Sequence, residues 1–319
     1  MAPSTFKLNN GVDMPAVGFG TWQAAPGEVA AAVKYALKVG YKHIDAAYCY
    51  ANENEVGDGI KAAIDAGYVT RAEIFVTTKL WNTYATRVEL GLDKSLKALQ
   101  LDYVDQFLVH WPIAMNPEGN DDRFPKLPDG SRDITWSHDH TATWKQMEAL
   151  LKTGKTRSVG VCNYSVPYLE QLLKTAEVVP AVNQIENHPS LPQQEVVDLC
   201  KQKGIHIVAY SPLGSTGSPL MKSEAVIKVA EQKGVSVGTV LLSYHVARGN
   251  TVLAKSVTES RIKSNLEIVD LDAEDMQILN DYSAALAKEG KLTRYVYPPF
   301  GAKFGFPDKP EGRSLPNGV

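Results

Sequence analysis

The chain has 319 residues, of which 44% are hydrophobic and 22% charged, and its 33 basic and 36 acidic residues leave a net charge of −3. These are the proportions of a globular protein able to bury a large core; they exclude the basic footprint of a nucleic-acid binder or a polybasic membrane anchor, and no apolar run approaches a membrane span. Three cysteines, Cys49, Cys162 and Cys200, with no CxxC pair, point to reduced thiols rather than a disulfide framework or metal site, and the N-terminus lacks the apolar core of a secretory signal, so a cytoplasmic protein is expected.

FKLNNGVDMPAVGFG opens the chain as a β-hairpin turning at Asn10-Gly11. Short apolar runs follow at regular intervals: AVGFG (16–20), KHIDA (42–46), IFVTTK (74–79), VDQFLVH (104–110), RSVGVC (157–162), AVNQIE (181–186), HIVAYS (206–211) and TVLAKS (251–256). A helix-like segment follows each, from GEVAAAVKYALKVG, which stops on Gly40, through NENEVGDGIKAAIDAG, whose leading acids suit a helix N-terminus, to SRIKSNLEI. Eight strand–helix units predict a parallel sheet with crossover helices, and eight is the number that closes into a (β/α)8 TIM barrel. An open doubly wound sheet would carry GxGxxG after its first strand, where this chain has GFGTWQAAPG. Residues 1–319 therefore read as one domain.

Two stretches break the rhythm: 112–137 after the fourth strand, and the tail 285–319 with YVYPPFGAKFGFPDKP. Long irregular segments in compact domains tend to be functional, and their aromatic content suggests walls of a binding site.

Catalytic groups of such barrels sit at the C-terminal ends of the strands. There the second strand ends on Asp45 with Tyr50 in its loop, the third on Lys79 and the fourth on His110. A phenol titrates near 10; Lys79 beside Tyr50 would lower that value, Asp45 would compensate the ammonium, and His110 would orient a carbonyl, which makes a proton donor for an oxygen that gains charge in the transition state. A structural Asp45–Lys79 ion pair and a packed loop tyrosine are the plainer alternatives. Trp22, Trp81 and Trp111, just beyond strand ends, with Phe124 from the long loop, suit an apolar substrate cleft.

GYKHIDAAYCYANENEVG, TTKLWN, LVHWP, GVCNYS, VNQIE, AYSPLGS and AKSVTESRIKSN, in this order over roughly residues 6 to 300, together resemble the aldo-keto reductase family. The resemblance implies carbonyl reduction with NADPH on a monomeric barrel, with Tyr50 as general acid, Asp45 and Lys79 tuning it, and His110 positioning the carbonyl. It further implies a cofactor site in which Thr21 and Trp22 flank the nicotinamide, Tyr210 stacks on it, and Asn163 and Gln184 hold its carboxamide. Ser211, Leu213 and Ser215 would take the pyrophosphate, Lys255, Ser256, Val257, Thr258 and Arg261 the adenosine phosphate, and Asn265 the adenine. Two cations, Lys255 and Arg261, at the end of the eighth strand suit a 2′-phosphate better than a bare hydroxyl.

The chain departs from the family's common pattern at Cys162, Ala254, Ser264, Gln23 and Ala46, none of them in the catalytic quartet. The short loop GSTGSPLMKS (214–223) and the aromatic tail are similar to those of fungal NADP-dependent glycerol dehydrogenases and glyceraldehyde reductases. Glycerol, dihydroxyacetone, glyceraldehyde, sugar aldehydes and uronates remain open as substrates. A lyase using Lys79 as a Schiff-base amine, and a barrel that has lost catalysis, are the readings from other classes.

Overall fold

A computed structural model describes residues 4–215 and 218–316. Two short strands, β1 (Thr5–Lys7) and β2 (Asp13–Pro15), pair antiparallel with Phe6 opposite Met14. Their connection runs over five residues rather than the two that Asn10-Gly11 predicts: Leu8 N donates to Val12 O, Asn10 Oδ1 accepts from Val12 N, and only Gly11 takes a positive φ, +83°. Leu8 and Met14 from this hairpin pack against Phe75, Leu108, Val182, Val208 and Leu253 of the main sheet, closing one end of it.

The main sheet holds all eight strands expected from the sequence: β3 (Val17–Gly20), β4 (His43–Asp45), β5 (Phe75–Leu80), β6 (Gln106–Val109), β7 (Val159–Cys162), β8 (Val182–Glu186), β9 (His206–Tyr210) and β10 (Thr251–Ala254). Each pairs in parallel with the next, and β10 returns to β3, so the sheet closes into a (β/α)8 barrel. Because the strands are parallel, their C-terminal residues all face one end, opposite the hairpin.

The outer layer begins with α1 (Val29–Val39), α2 (Glu53–Asp65), α3 (Val88–Leu99), α4 (His140–Leu150), α5 (Val166–Leu173) and α6 (Gln194–Gln202). It continues with α7 (Glu224–Lys233), α8 (Val237–Ala247), α9 (Glu259–Ser264) and α10 (Ala273–Lys288). Two glycines inside α2 carry a helix-propensity cost of roughly 1 kcal/mol each, and packing explains them. A Cβ at Gly57 would lie 2.5 Å from the Leu99 carbonyl, and one at Gly59 2.6 Å from that of Ala30. The α2 acids do more than favour the helix dipole: Glu55 accepts from the Gly27 and Val29 amides and so caps α1, while Glu53 is buried against Thr78 and Ser95. Helix α10 lies partly in what the sequence suggested was tail; its start is fixed by a capping box between Asp272 and Asp275.

Burial holds several histidines neutral, His43 and His140 among them. His43, inside the barrel with its Nε2 on Thr77 Oγ1 (3.0 Å), is pushed down to about 3, and His140, ringed by Tyr164 and Tyr168, to about 4. The unfolded chain binds these protons near 6.5 and the folded one does not, so stability is full above that value and falls as pH drops toward 4. Urea unfolding at pH 7 and pH 5 is expected to differ by about 2 kcal/mol for each histidine, and His140→Phe to flatten the slope. An unchanged slope in that variant would remove His140 from the account.

Candidate active site

The barrel brings Asp45, Lys79 and His110 together because each lies within one residue of the C-terminal end of one of three neighbouring strands. Lys79 is fully buried. Its ammonium donates to Asp45 Oδ2 at 2.6 Å, to the Ala46 carbonyl at 2.9 Å and to the Tyr50 hydroxyl at 3.2 Å. Those three bonds use its three hydrogens, so the site's own groups engage the whole ammonium. Asp45 is fixed on its other side: Gln184 Nε2 donates to Oδ1 at 2.8 Å, and Thr21 Oγ1 donates to the Asp45 carbonyl at 2.9 Å. Asn52 Nδ2 in turn holds the Thr21 carbonyl at 2.9 Å.

Tyr50 ends a single helical turn, Tyr48–Tyr50, between β4 and α2. Ala51 follows with φ +59°, a left-handed value uncommon for a residue with a Cβ, and this sharp bend directs the phenol back over the barrel mouth. Lys79 does not lower the phenol's pKa on balance. Burial, then the charge of Asp45, push it well above its ordinary 10, so at neutral pH Tyr50 is a phenol holding its proton. This is the state a general acid must start from; the nearby ammonium acts on the charge that develops when the proton leaves.

The His110 ring stands edge-on to Tyr50 (centroids 5.8 Å apart) and to Trp81 (5.2 Å). Burial, with Lys79 adding to it, drives its pKa well below 6.5, so the imidazole is neutral. Its Nδ1 lies 3.5 Å from Cys49 Sγ, and its backbone carbonyl accepts from Asn163 Nδ2 at 3.0 Å.

Aromatic side chains surround the quartet. Phe124 from the 112–137 loop stands edge-on to Trp81 at 5.3 Å, and Phe300 from the tail lies 6.1 Å from Trp81 and 6.3 Å from Trp111. Phe304 packs on Trp111 at 4.9 Å. Trp22, 39% exposed, lies 6.4 Å from the Tyr50 ring on the open side. The long loop is tied down where Tyr48 and Tyr84 both donate to Asp122 and Trp81 Nε1 donates to the Arg123 carbonyl. The tail is tied to β8: both oxygens of buried Glu186 accept backbone amides, from Tyr295 and Val296, and Arg294 forms a bidentate pair with Asp308.

The residues expected at the cofactor fall into two groups. Tyr210 donates to Asn163 Oδ1 at 2.7 Å, which links it through Asn163 to His110. Asn163 Nδ2 also lies 3.1 Å from Cys162 Sγ, so the cysteine holds the amide in place of a hydroxyl. Gln184, expected on a carboxamide, has one amide hydrogen committed to Asp45, because β8 points it into the barrel axis beside β4. Ser211 takes φ +51° at the end of β9. Leu213 packs against the α7–α8 cluster, and Ser215 is exposed; Thr216 and Gly217 of the short loop lie outside the described residues.

The second group follows β10. Lys255, Val257, Thr258 and Arg261 are exposed, Ser256 is buried with its Oγ on the Thr258 amide, and Asn265 is half-buried at the end of α9. Lys255 Nζ reaches the Gln23 carbonyl at 3.0 Å, which brings the loop after β3 alongside. Neither Lys255 nor Arg261 has an ion-pair partner among the described residues, and two unpaired cations fit a phosphate group.

Sequence reasoning passed over Cys49, Glu53, Glu186 and Arg294. Each acts through a partner distant in the chain, and the local signal was at most a charged residue within an apolar run, as at the end of AVNQIE.

An eight-stranded parallel barrel whose strand ends gather a buried Lys–Asp pair, a tyrosine and a neutral histidine under aromatic walls has the architecture of an oxidoreductase of the TIM-barrel class. Residues 16–284 match the model of the Aldo/keto reductase family, and the chain belongs to that family. It is 70% identical to a D-galacturonate reductase of Hypocrea jecorina over 97% of this chain and 100% of the relative. It is 47% identical to a glycerol 2-dehydrogenase (NADP(+)) of Saccharomyces cerevisiae, over 92% and 93%. Among solved structures it is similar to the aldose reductase of Schistosoma japonicum, with a TM-score of 0.82 and 37% identity over 87% of this chain and 91% of that one.

Proposed function

We propose that this protein reduces small aldehydes and ketones with NADPH, and oxidises the corresponding alcohols in reverse. The observation that carries the reading is the Lys79 ammonium shared between Asp45 and the Tyr50 hydroxyl at the floor of an aromatic cleft. NADPH, when bound, supplies the hydride. Lys255 and Arg261 would hold its 2′-phosphate, while Tyr210, Asn163 and Gln184 would border its nicotinamide. Tyr50 gives its proton to the carbonyl oxygen as that oxygen gains charge, the Asp45–Lys79 pair stabilises the phenolate left behind, and the neutral His110 ring orients the carbonyl. The aromatic walls exclude water from this exchange.

Within the class, D-galacturonate is favoured by the 70% relative and a glycerol-type substrate by the yeast one. A panel of D-galacturonate, glyceraldehyde, dihydroxyacetone and xylose, assayed with NADPH and with NADH, tests the reading through kcat/KM. Absence of NADPH-dependent reduction across the panel would overturn it. Lys255→Met with Arg261→Ala is expected to weaken NADPH by about 10²–10⁴-fold and NADH by less than a few-fold, since each of the two lost charged hydrogen bonds is worth about 1.5–3 kcal/mol. Equal weakening of both would remove the 2′-phosphate role. No helix among the described residues is long and apolar enough to cross a membrane. The three cysteines are free, which suits a reducing compartment, and we assign the protein to the cytoplasm, working as a monomer.

A further inference from the structure

Cys49 lies on the turn between Asp45 and Tyr50, half-buried, with its sulfur 3.5 Å from His110 Nδ1. That nitrogen is its one side-chain partner among the described residues, and no described residue bonds His110 Nε2. Two pairings satisfy the distance: S–H donating to an Nδ1 lone pair, or Nδ1–H donating to sulfur. Sulfur is a weak acceptor, whereas an unprotonated imidazole nitrogen is a strong one, so the first pairing is the better bond.

We propose that Cys49 is a positioning residue that fixes the His110 tautomer: its thiol donates to Nδ1, which leaves the ring proton on Nε2, ready to donate to the carbonyl oxygen. The inference rests on the reading of His110 as the group that orients the substrate. Burial supports it from both sides. It raises the thiol's pKa, so the sulfur keeps its hydrogen, and it keeps the imidazole neutral, so Nδ1 keeps a lone pair. Often a carbonyl or carboxylate receives Nδ1–H and places the lone pair on Nε2. A donor at Nδ1 reverses that assignment, which suits polarising a carbonyl rather than accepting a proton.

The test compares Cys49→Val, which stays apolar and removes the donor, with Cys49→Ser, which keeps a donor. Long-range ¹⁵N–¹H spectra of the histidine-labelled protein report the tautomer without reference to turnover. The wild type and the serine variant are expected to carry the proton on Nε2, and the valine variant to show a mixture. In that variant His110 also gains a proton at higher pH than in wild type, because a hydrogen bond to its neutral form is gone. Its kcat/KM is expected to fall about fivefold, the scale of one neutral hydrogen bond, with recovery in the serine variant.

An Nδ1–H tautomer in the wild type, or spectra and titration of His110 that Cys49→Val leaves unchanged, would overturn the proposal. Failure of the functional reading looks different: His110→Ala would then reduce carbonyls normally while the tautomer remained set by Cys49.

Discussion

Tyr50→Phe is expected to lower carbonyl reduction by about 10²–10⁴-fold, the range that a positioned general acid contributes, and to leave NADPH affinity within a few-fold of wild type. The change deletes one oxygen. That oxygen accepts from Lys79 and has no other hydrogen-bond partner among the described residues, so the variant is expected to fold. Lys79 keeps Asp45 and the Ala46 carbonyl. Quenching of tryptophan fluorescence on NADPH titration measures binding, and single-turnover reduction measures chemistry. Turnover near the wild-type rate would assign the proton to another donor.

The second large effect concerns the charge beneath that donor. Asp45→Asn is expected to cost about 3–5 kcal/mol of stability, because it leaves the buried Lys79 ammonium without its counter-charge, and to reduce turnover at least 100-fold. The decisive variant is double. Asp45→Asn with Lys79→Met removes both charges while keeping an amide oxygen for Gln184. Buried ion pairs are often replaced at little cost when both partners go, so the double variant is expected to regain most of the stability and none of the activity. Recovery of both would reduce the pair to a structural ion pair, and recovery of neither would show that the Lys79 hydrogen bond to the Ala46 carbonyl matters more than the charge.

Most of the fold was legible because it rests on local patterns. Each barrel strand is a short apolar run between turn signals, and the parallel barrel follows from their number and alternation with helices. The quartet was legible for the same reason: Asp45, Lys79 and His110 stand at strand ends, and parallel strands bring their ends together. What remained hidden depends on contacts across the chain. Nothing near Gln184 announces Asp45, 139 positions away, and Cys49 meets His110 across 61. The expected lowering of the Tyr50 pKa had the right partner and the wrong sign, because burial, set by residues from several strands, and then the charge of Asp45 raise it. Helix α10 is a different kind of miss: Asp272-x-x-Asp275 ahead of an amphipathic run is a local signal, but the preceding aromatic-rich reading of the tail drew its boundary too early.

The Glu186 anchor, with Arg294 also donating to Gln193 ahead of α6, joins the tail to the barrel at points separate from the quartet, whose members lie between residues 45 and 110. The tail thus adds its part of the aromatic wall from a stretch of chain separate from Asp45, Tyr50, Lys79 and His110. Drift in Tyr297, Phe300 or Phe304 could re-tune which molecules are admitted without disturbing proton delivery, provided the two backbone amides on Glu186 stay in place. A lineage could in this way explore new metabolites through its last few dozen codons while the reaction itself is inherited intact.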